Sequence, residues 1–461
     1  MTRPFPPSAP AAVTRKEHLR AILKLGLPLI GGNVAQFAIT LTDTIMLGWY
    51  DIDTLAGNVL GGMVFFVLFI FGAGFSLAVM PAVAEAEAAG DDTHVRRVTR
   101  MGLWASILFA AFALPVTLFA HPLLIAMGQE AQVAALASEY LAIAGWGIIF
   151  ALIAMVLKSY LAALEHSGIV LWATLAAAGI NVLADYALIF GHWGAPEMGI
   201  RGAAIASVTV QVVLCVVLAG YILVKTPQHD LFRRFWRPDP EAFGLVFRVG
   251  LPIGLTNLAE VSLFAASSVM MGWLGAVPLA AHGIALQISS LTFVVHMGLS
   301  SAATVRAGRA LGRRDRDGLR RGAVVIVALS VGLAVLASAI FVIMPRGLVA
   351  PFLDPSNPES GAVLAMGALL LMPAALFQLF DAAQVMALGL LRGVQDTRVP
   401  LYIAAAAYWG VGMPASYGLG FIFGLGGVGV WLGLVLGLVV ASALLIHRFF
   451  AISMERALPE G

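Results

Sequence analysis

Long apolar runs separated by short polar breaks dominate the pattern from residue 22 to 448. A helix needs about 20 mostly apolar residues to cross a bilayer. Twelve runs qualify: 22–48, 54–80, 98–120, 133–157, 167–190, 199–224, 246–273, 278–300, 322–344, 361–388, 399–421 and 426–448. Pro28, Pro115, Pro252, Pro373 and Pro414 interrupt several of them. Breaks of this kind are tolerated in bundles, where neighbouring helices satisfy the freed backbone groups. The expected fold is an all-α polytopic membrane protein.

Self-similarity divides the chain in two. KLGLPLIGGNVAQFAITLTDTIMLGWYDIDTLAGN at 24–58 lies without a gap over RVGLPIGLTNLAEVSLFAASSVMMGWLGAVPLAAH at 248–282, at a constant offset of 224. Gly26, Leu27, Pro28, Asn33, Met46, Gly48 and Trp49 match Gly250, Leu251, Pro252, Asn257, Met270, Gly272 and Trp273. Later, GIRGAA (199–204) resembles GLGGVG (424–429). Each unit holds six helices, an even number, so both enter the membrane from one side as a parallel repeat. The expected organisation is a tail at 1–20, an N-lobe at 21–224, a linking loop at 225–244, a C-lobe at 245–448 and a tail at 449–461, with a cleft between pseudo-symmetric lobes.

Composition agrees. Of 461 residues, 60% are hydrophobic and 11% charged, with a mean hydropathy of +0.94; soluble domains carry about 25% charged residues. Of 27 Lys plus Arg, only Arg201 and Arg346 fall on the side opposite the termini, which places both termini in the cytoplasm. The basic run RAGRALGRRDRDGLRR (306–321) reads as a solvated loop that sets topology rather than a lipid-headgroup site. A net charge of +2, with no basic helix interleaved with aromatics, gives no nucleic-acid partner. The single Cys215 forms no disulfide within the chain. The Pro-rich start lacks the short apolar core and cleavage site of a signal peptide.

The polar exceptions inside the spans are the candidate chemistry. FAITLTDTIMLGWY (37–50) carries Asp43, and a carboxylate at mid-bilayer costs about 2.5–3.5 kcal/mol on insertion scales. Asp185 lies at similar depth in the fifth span, one turn after Asn181 on the same face. Two carboxylates and an amide at one level suit a shared proton or a held cation, and the blander alternative is hydrogen bonding near a helix end. Glu260, the repeat mate of Gln36, is the deepest acid. Asp381 in the tenth span can share a face with Phe377, Gln378 and Gln384. Such a pair with amide oxygens suits a hard cation such as sodium, and an acidic, aromatic-lined cavity suits a lipophilic organic cation. Asn33, Gln287 and His282 are further candidates to line the cavity. No HExxH, metal-spaced His pair or phosphate-binding GxxxxGK[ST] is present, so neither metal hydrolysis nor direct ATP drive is expected. The Gly-rich stretch GLGFIFGLGGVGVWLGLVLG reads as close helix packing.

LPLIGGNVAQFAITLTDTIMLG, NVLADYALIFG, PIGLTNLAEVSLFAASSVMMGWLG and FQLFDAAQVMALGLLRGVQDT together resemble the multidrug and toxic compound extrusion (MATE) family, especially its NorM-like branch, over residues 20–448. The resemblance implies antiport at the inner membrane: export of cationic lipophilic drugs in exchange for sodium or protons, without a cofactor; two lobes in one chain can make a complete carrier, so a monomer is expected. It implies that Asp43, Asn181 and Asp185 form an N-lobe proton or cation site, and that Glu260 and Asp381 form a C-lobe cation site. Two positions depart from the NorM-like pattern. Phe377 stands where a tyrosine is common, which removes a hydroxyl, and Asp185 stands where asparagine is common, as in proton-coupled relatives. Other readings are a flippase for lipids or lipid-linked glycans, which needs cationic groups in its cavity, an intramembrane enzyme, which needs a reactive constellation, and a passive channel.

Overall fold

The computed structural model describes residues 15–354, 356 and 358–459. Twelve helical rods follow the apolar runs. The N-lobe contains α1 (Arg15–Tyr50), α2 (Ile52–Ala89), α3 (Asp92–Leu118), α4 (Ala131–Ala163), α5 (Ser167–Phe190) and α6 (Ile200–Lys225). The C-lobe contains α7 (Pro240–Trp273), α8 (Ala276–Gly312), α9 (Arg316–Ile343), α10 (Ser360–Gly393), α11 (398–422) and α12 (Gly426–Arg448). No strand occurs among the described residues. The reason is solvation: lipid offers no partner to a bare peptide group, so each span must close its own ladder.

Local chemistry sets the ends. Asp51, Asp91, Asp239 and Asp315 cap α2, α3, α7 and α9 by accepting backbone N–H groups of Thr54, His94, Ala242 and Gly318. Pro240 opens α7 at a position whose N–H would have no helical partner. Gly90 and Gly191 end α2 and α5 in the left-handed conformation, φ 76° and 72°.

The helices overrun the expected bounds. α1 begins at Arg15, inside the segment expected as a tail, whose residues 1–14 lie outside the described residues. α7 begins at Pro240, inside the expected loop. At the far end, α12 continues through a π turn (Phe449–Ser453) and a last helical turn (Met454–Ala457), so most of the second expected tail is helical. The polar flanks carry too little apolar signal to show this, yet nothing in them breaks a helix. α11 is one rod made of α turns and two π segments, Ala406–Gly412 and Gly418–Ile422, on either side of Pro414. It packs on α12 through the Gly-rich stretch: a Cβ on Gly433 would collide with the backbone of Ser416, and one on Gly429 with that of Leu419. The expectation of close packing there holds.

The lobes meet through the same half of each contributing helix. Gly74 of α2 sits against Gly250 and Gly254 of α7, Gly298 of α8 against Ile30 of α1, and Gly308 and Gly312 of α8 against Pro81 and Glu85. Polar contacts between the lobes gather at the same end. Arg97 pairs with Asp239 and Glu241, Arg306 Nη2 lies 3.0 Å from His18 Nδ1, Arg309 reaches Glu165 and the Ala163 carbonyl, and Gln395 donates to Glu85. This corrects the reading of 306–321 as a solvated loop. Arg306 and Arg309 belong to α8 and join the lobes, and only the segment after them turns outward. The helix ends at Tyr50, Ile52, Trp273 and Ala276 hold no inter-lobe hydrogen bond or ion pair among the described residues.

Candidate functional site

Each lobe buries a group of polar side chains. In the N-lobe, Asp43 on α1 is 7% exposed, and Asn181 and Asp185 on α5 are fully buried. α1 and α5 pack along their length, and the one-turn spacing of Asn181 and Asp185 presents both to Asp43. Asp43 Oδ2 accepts a hydrogen bond from Ser207 Oγ on α6 at 2.9 Å. Tyr140 of α4 closes the group beside Asp43 and Ser207. Asp43 Oδ1, both Asp185 oxygens and both amide atoms of Asn181 lack a hydrogen-bond partner of ordinary geometry. Buried polar atoms are nearly always paired. A cluster of two carboxylates with this many open acceptors is built to take a proton or a cation.

The C-lobe group centres on Glu260 of α7 and Asp381 of α10, which face each other. Gln384, one turn from Asp381 on α10, lies beside Glu260, and neither of its amide atoms has a partner of ordinary geometry. Tyr408 comes from the first π segment of α11 and is fully buried against Glu260, Asp381 and Gln384, its hydroxyl unpaired. Arg392 also faces Glu260 and donates Nη2 to Asn257 Oδ1 at 3.0 Å.

A common device appears in both halves. The fourth helix of each lobe sends a cation to an amide on that lobe's first helix: Lys158 Nζ to Gln36 Oε1 at 3.2 Å, and Arg392 to Asn257. Gln36 and Asn257 are, by the repeat, the mates of Glu260 and Asn33. Sequence reasoning did not single out Ser207, Tyr140, Lys158, Arg392, Tyr408 or Asn257 as site residues. Lys158 and Arg392 stand where apolar runs end and so read as topology markers. A hydroxyl in an apolar run carries no signal of its own.

The remaining candidates separate. Phe377 does not stand alone over the acids; it lies edge-on to Trp431 at 5.6 Å and tilted to Phe264 at 5.9 Å. His282 lines no open space, being fully buried, with Nδ1 accepting from the Trp431 indole N–H at 3.0 Å and Nε2 3.2 Å from Ser268 Oγ. The indole has only a donor to give, so the proton of a neutral ring sits on Nε2. Gln378 is fully buried and committed to α8, accepting from Thr292 Oγ1 and facing the Ser289 carbonyl. Asn33 and Gln36 are half-buried, and Gln287 is exposed.

Two like six-helix lobes, closed on each other at one end and holding buried acids in each half, define a multi-pass membrane carrier. The MatE family model matches residues 28–187 and again 252–418, one match per lobe, with starts separated by the repeat offset. Probable multidrug resistance proteins NorM are similar throughout: that of Rhizobium meliloti (strain 1021) is 46% identical over 94% of this chain and 93% of its own, and that of Agrobacterium fabrum 45% identical over 94% and 93%. Among solved structures, the eukaryotic MATE transporter AtDTX14 superposes with a TM-score of 0.86 at 19% identity, covering 96% of this chain and 99% of its own. An outward-facing multidrug resistance MATE family transporter superposes at 0.85 with 21% identity, covering 97% and 98%. These neighbours share the fold. The chain belongs to the MatE family, whose members are transporters and not enzymes.

Proposed function

We propose that this chain is a secondary active multidrug exporter of the inner membrane, exchanging lipophilic organic cations for sodium or protons. One observation carries the reading: each lobe sets a carboxylate pair inside its helices, Asp43 with Asp185, both buried, and half-buried Glu260 with buried Asp381, beside polar atoms that lack hydrogen-bond partners of ordinary geometry. A buried acid without enough donors takes a proton, binds a cation or holds a cationic substrate. Both termini lie in the cytoplasm, with lobes formed by α1–α6 and α7–α12 and the cleft facing outward. The carrier acts as a monomer among membrane lipids.

In this state the acids load the coupling ion from outside. Neutralising them weakens their hold on a cationic drug, which leaves. The loaded carrier rocks inward, releases its ion and takes new drug on the restored charge. The cycle requires that ion and drug compete for the charge or favour different states, because a ligand with equal affinity for both states shifts nothing. Arg392 and Asn257 hold Glu260 in place, and Gln384 and Tyr408 supply neutral oxygens of the kind a hard cation takes.

The test is efflux of a fluorescent cationic dye from proteoliposomes under an imposed sodium or pH gradient, with Glu260→Gln and Asp43→Asn alongside. Sodium-driven efflux lost in Glu260→Gln assigns coupling to the C-lobe. Proton-driven efflux lost in Asp43→Asn assigns it to the N-lobe. No dye movement under either gradient sinks the exporter reading in favour of a flippase.

A further inference from the structure

The linker between the lobes ends its first turn, Pro227–His229, with a histidine that is only 1% exposed. Nε2 of His229 lies 3.4 Å from Glu87 Oε2, near the end of α2, and 3.4 Å from Asp92 Oδ1, at the start of α3. All three atoms lie within 4.8 Å of one another. The other ring nitrogen, Nδ1, lies 2.5 Å from the Tyr160 hydroxyl of α4.

The hydrogen bonds around Tyr160 decide which nitrogen carries the proton. Thr226 Oγ1 donates to the Ile222 carbonyl at 2.9 Å, so it can only accept from Tyr160, whose hydroxyl points to it at 3.0 Å. Tyr160 has one proton. With that proton on Thr226, its oxygen accepts from His229, and the ring hydrogen belongs on Nδ1. With the ring hydrogen on Nδ1, Nε2 is the nitrogen turned toward the two carboxylates. Neither contact has the length of a good N–H···O bond, about 2.7–3.2 Å. Two carboxylates facing one ring nitrogen call for a positive charge between them.

We infer that Glu87, Asp92 and His229 form a binding site for a divalent transition cation of the zinc type, which clamps the linker to the N-lobe. Zinc takes imidazole nitrogen and carboxylate oxygen at about 2.0–2.2 Å, and a tetrahedral edge is about 1.63 times the bond, or roughly 3.3–3.6 Å. Both nitrogen–oxygen separations, 3.4 Å, fall there. The neutral ring and two carboxylates carry two negative charges, matching a divalent ion. The Nδ1–H to Tyr160 bond is the outer contact that fixes the tautomer of metal-binding histidines. Asp92 keeps a side-chain exposure of 57%, leaving a coordination position open to water. The site is separate from both carboxylate pairs, and its test does not depend on transport.

The test uses the full chain, purified in detergent without a histidine tag and titrated with Zn²⁺ by calorimetry and with Co²⁺ by visible absorption. One equivalent is expected, with the ligand-field bands of tetrahedral Co²⁺. Glu87→Gln, Asp92→Asn and His229→Gln should each lose it. Asp92 is exposed, so its variant keeps the fold if His229→Gln disturbs the linker. Tyr160→Phe leaves the ligands in place and should weaken binding by roughly 10–100-fold. Absence of an equivalent in the wild type overturns the site and leaves a protonated His229 as the link between the carboxylates. Equal binding by wild type and Asp92→Asn overturns it too, by locating the metal elsewhere.

Discussion

Arg97 of α3 grips Asp239, the capping residue of α7, through two parallel contacts: Nε to Oδ2 at 2.5 Å and Nη2 to Oδ1 at 3.0 Å. One carboxylate thus starts the first helix of the C-lobe and ties it to the N-lobe. It also accepts the backbone N–H of Ala242 at 3.1 Å.

The Arg97 guanidinium holds the Asp239 carboxyl down to about 2. An unfolded aspartate titrates near ~3.9. The folded value is the lower one, so the stabilisation is full above about 4 and disappears as pH falls through about 2. Asp239→Asn keeps a good helix cap and loses the charge pair, whereas Asp239→Ala also loses the cap, a further cost of about 0.5–2 kcal/mol. Melting temperatures in detergent should follow wild type > Asn > Ala. The wild-type advantage over Asn should be flat from about pH 5 to 8 and shrink below about 4. An advantage that grows on acidification would refute the account.

The lobes close because glycines let backbones touch. A Cβ on Gly74 would fall on the backbone of Gly250 and Gly254. Gly74→Val should therefore push the lobes apart at the closed end. Spin labels on α2 and α7 at that end should show a population at longer separation, and dye efflux should drop. An unchanged distance distribution would mean that the contact yields without opening the interface.

Tyr408 places a buried, unpaired hydroxyl beside Glu260 and Asp381. Removing a polar atom that makes no hydrogen bond costs little or stabilises. Tyr408→Phe should melt at or above the wild-type temperature while needing more coupling ion for half-maximal efflux. An unchanged ion requirement would take Tyr408 out of the site.

Trp431 gives His282 its only donor to Nδ1 and also packs edge-on to Phe377. Trp431→Phe leaves a buried acceptor unmade and should cost about 1–3 kcal/mol, read as a fall in melting temperature. A variant as stable as wild type would show that water reaches the ring.

The chain's own sequence determined the spans, their number, the duplication and the four intramembrane acids. Lipid imposes these at the level of single segments: each helix must be apolar along its length, and each charge within it stands out against that background. Asn181 and Asp185 could be set on one face because they lie on one helix. What the helices do to each other was decided only in three dimensions. Tyr408 reaches the C-lobe acids through a π segment that shifts helical register, and no apolar window reports such a shift. Arg306 and Arg309 read as loop charges and proved to join the lobes, because charge counts set sidedness but say nothing of partners. His229 met Glu87, Asp92 and Tyr160 from far along the chain, and the orientation of its ring follows from a chain of hydrogen bonds that only the folded packing assembles.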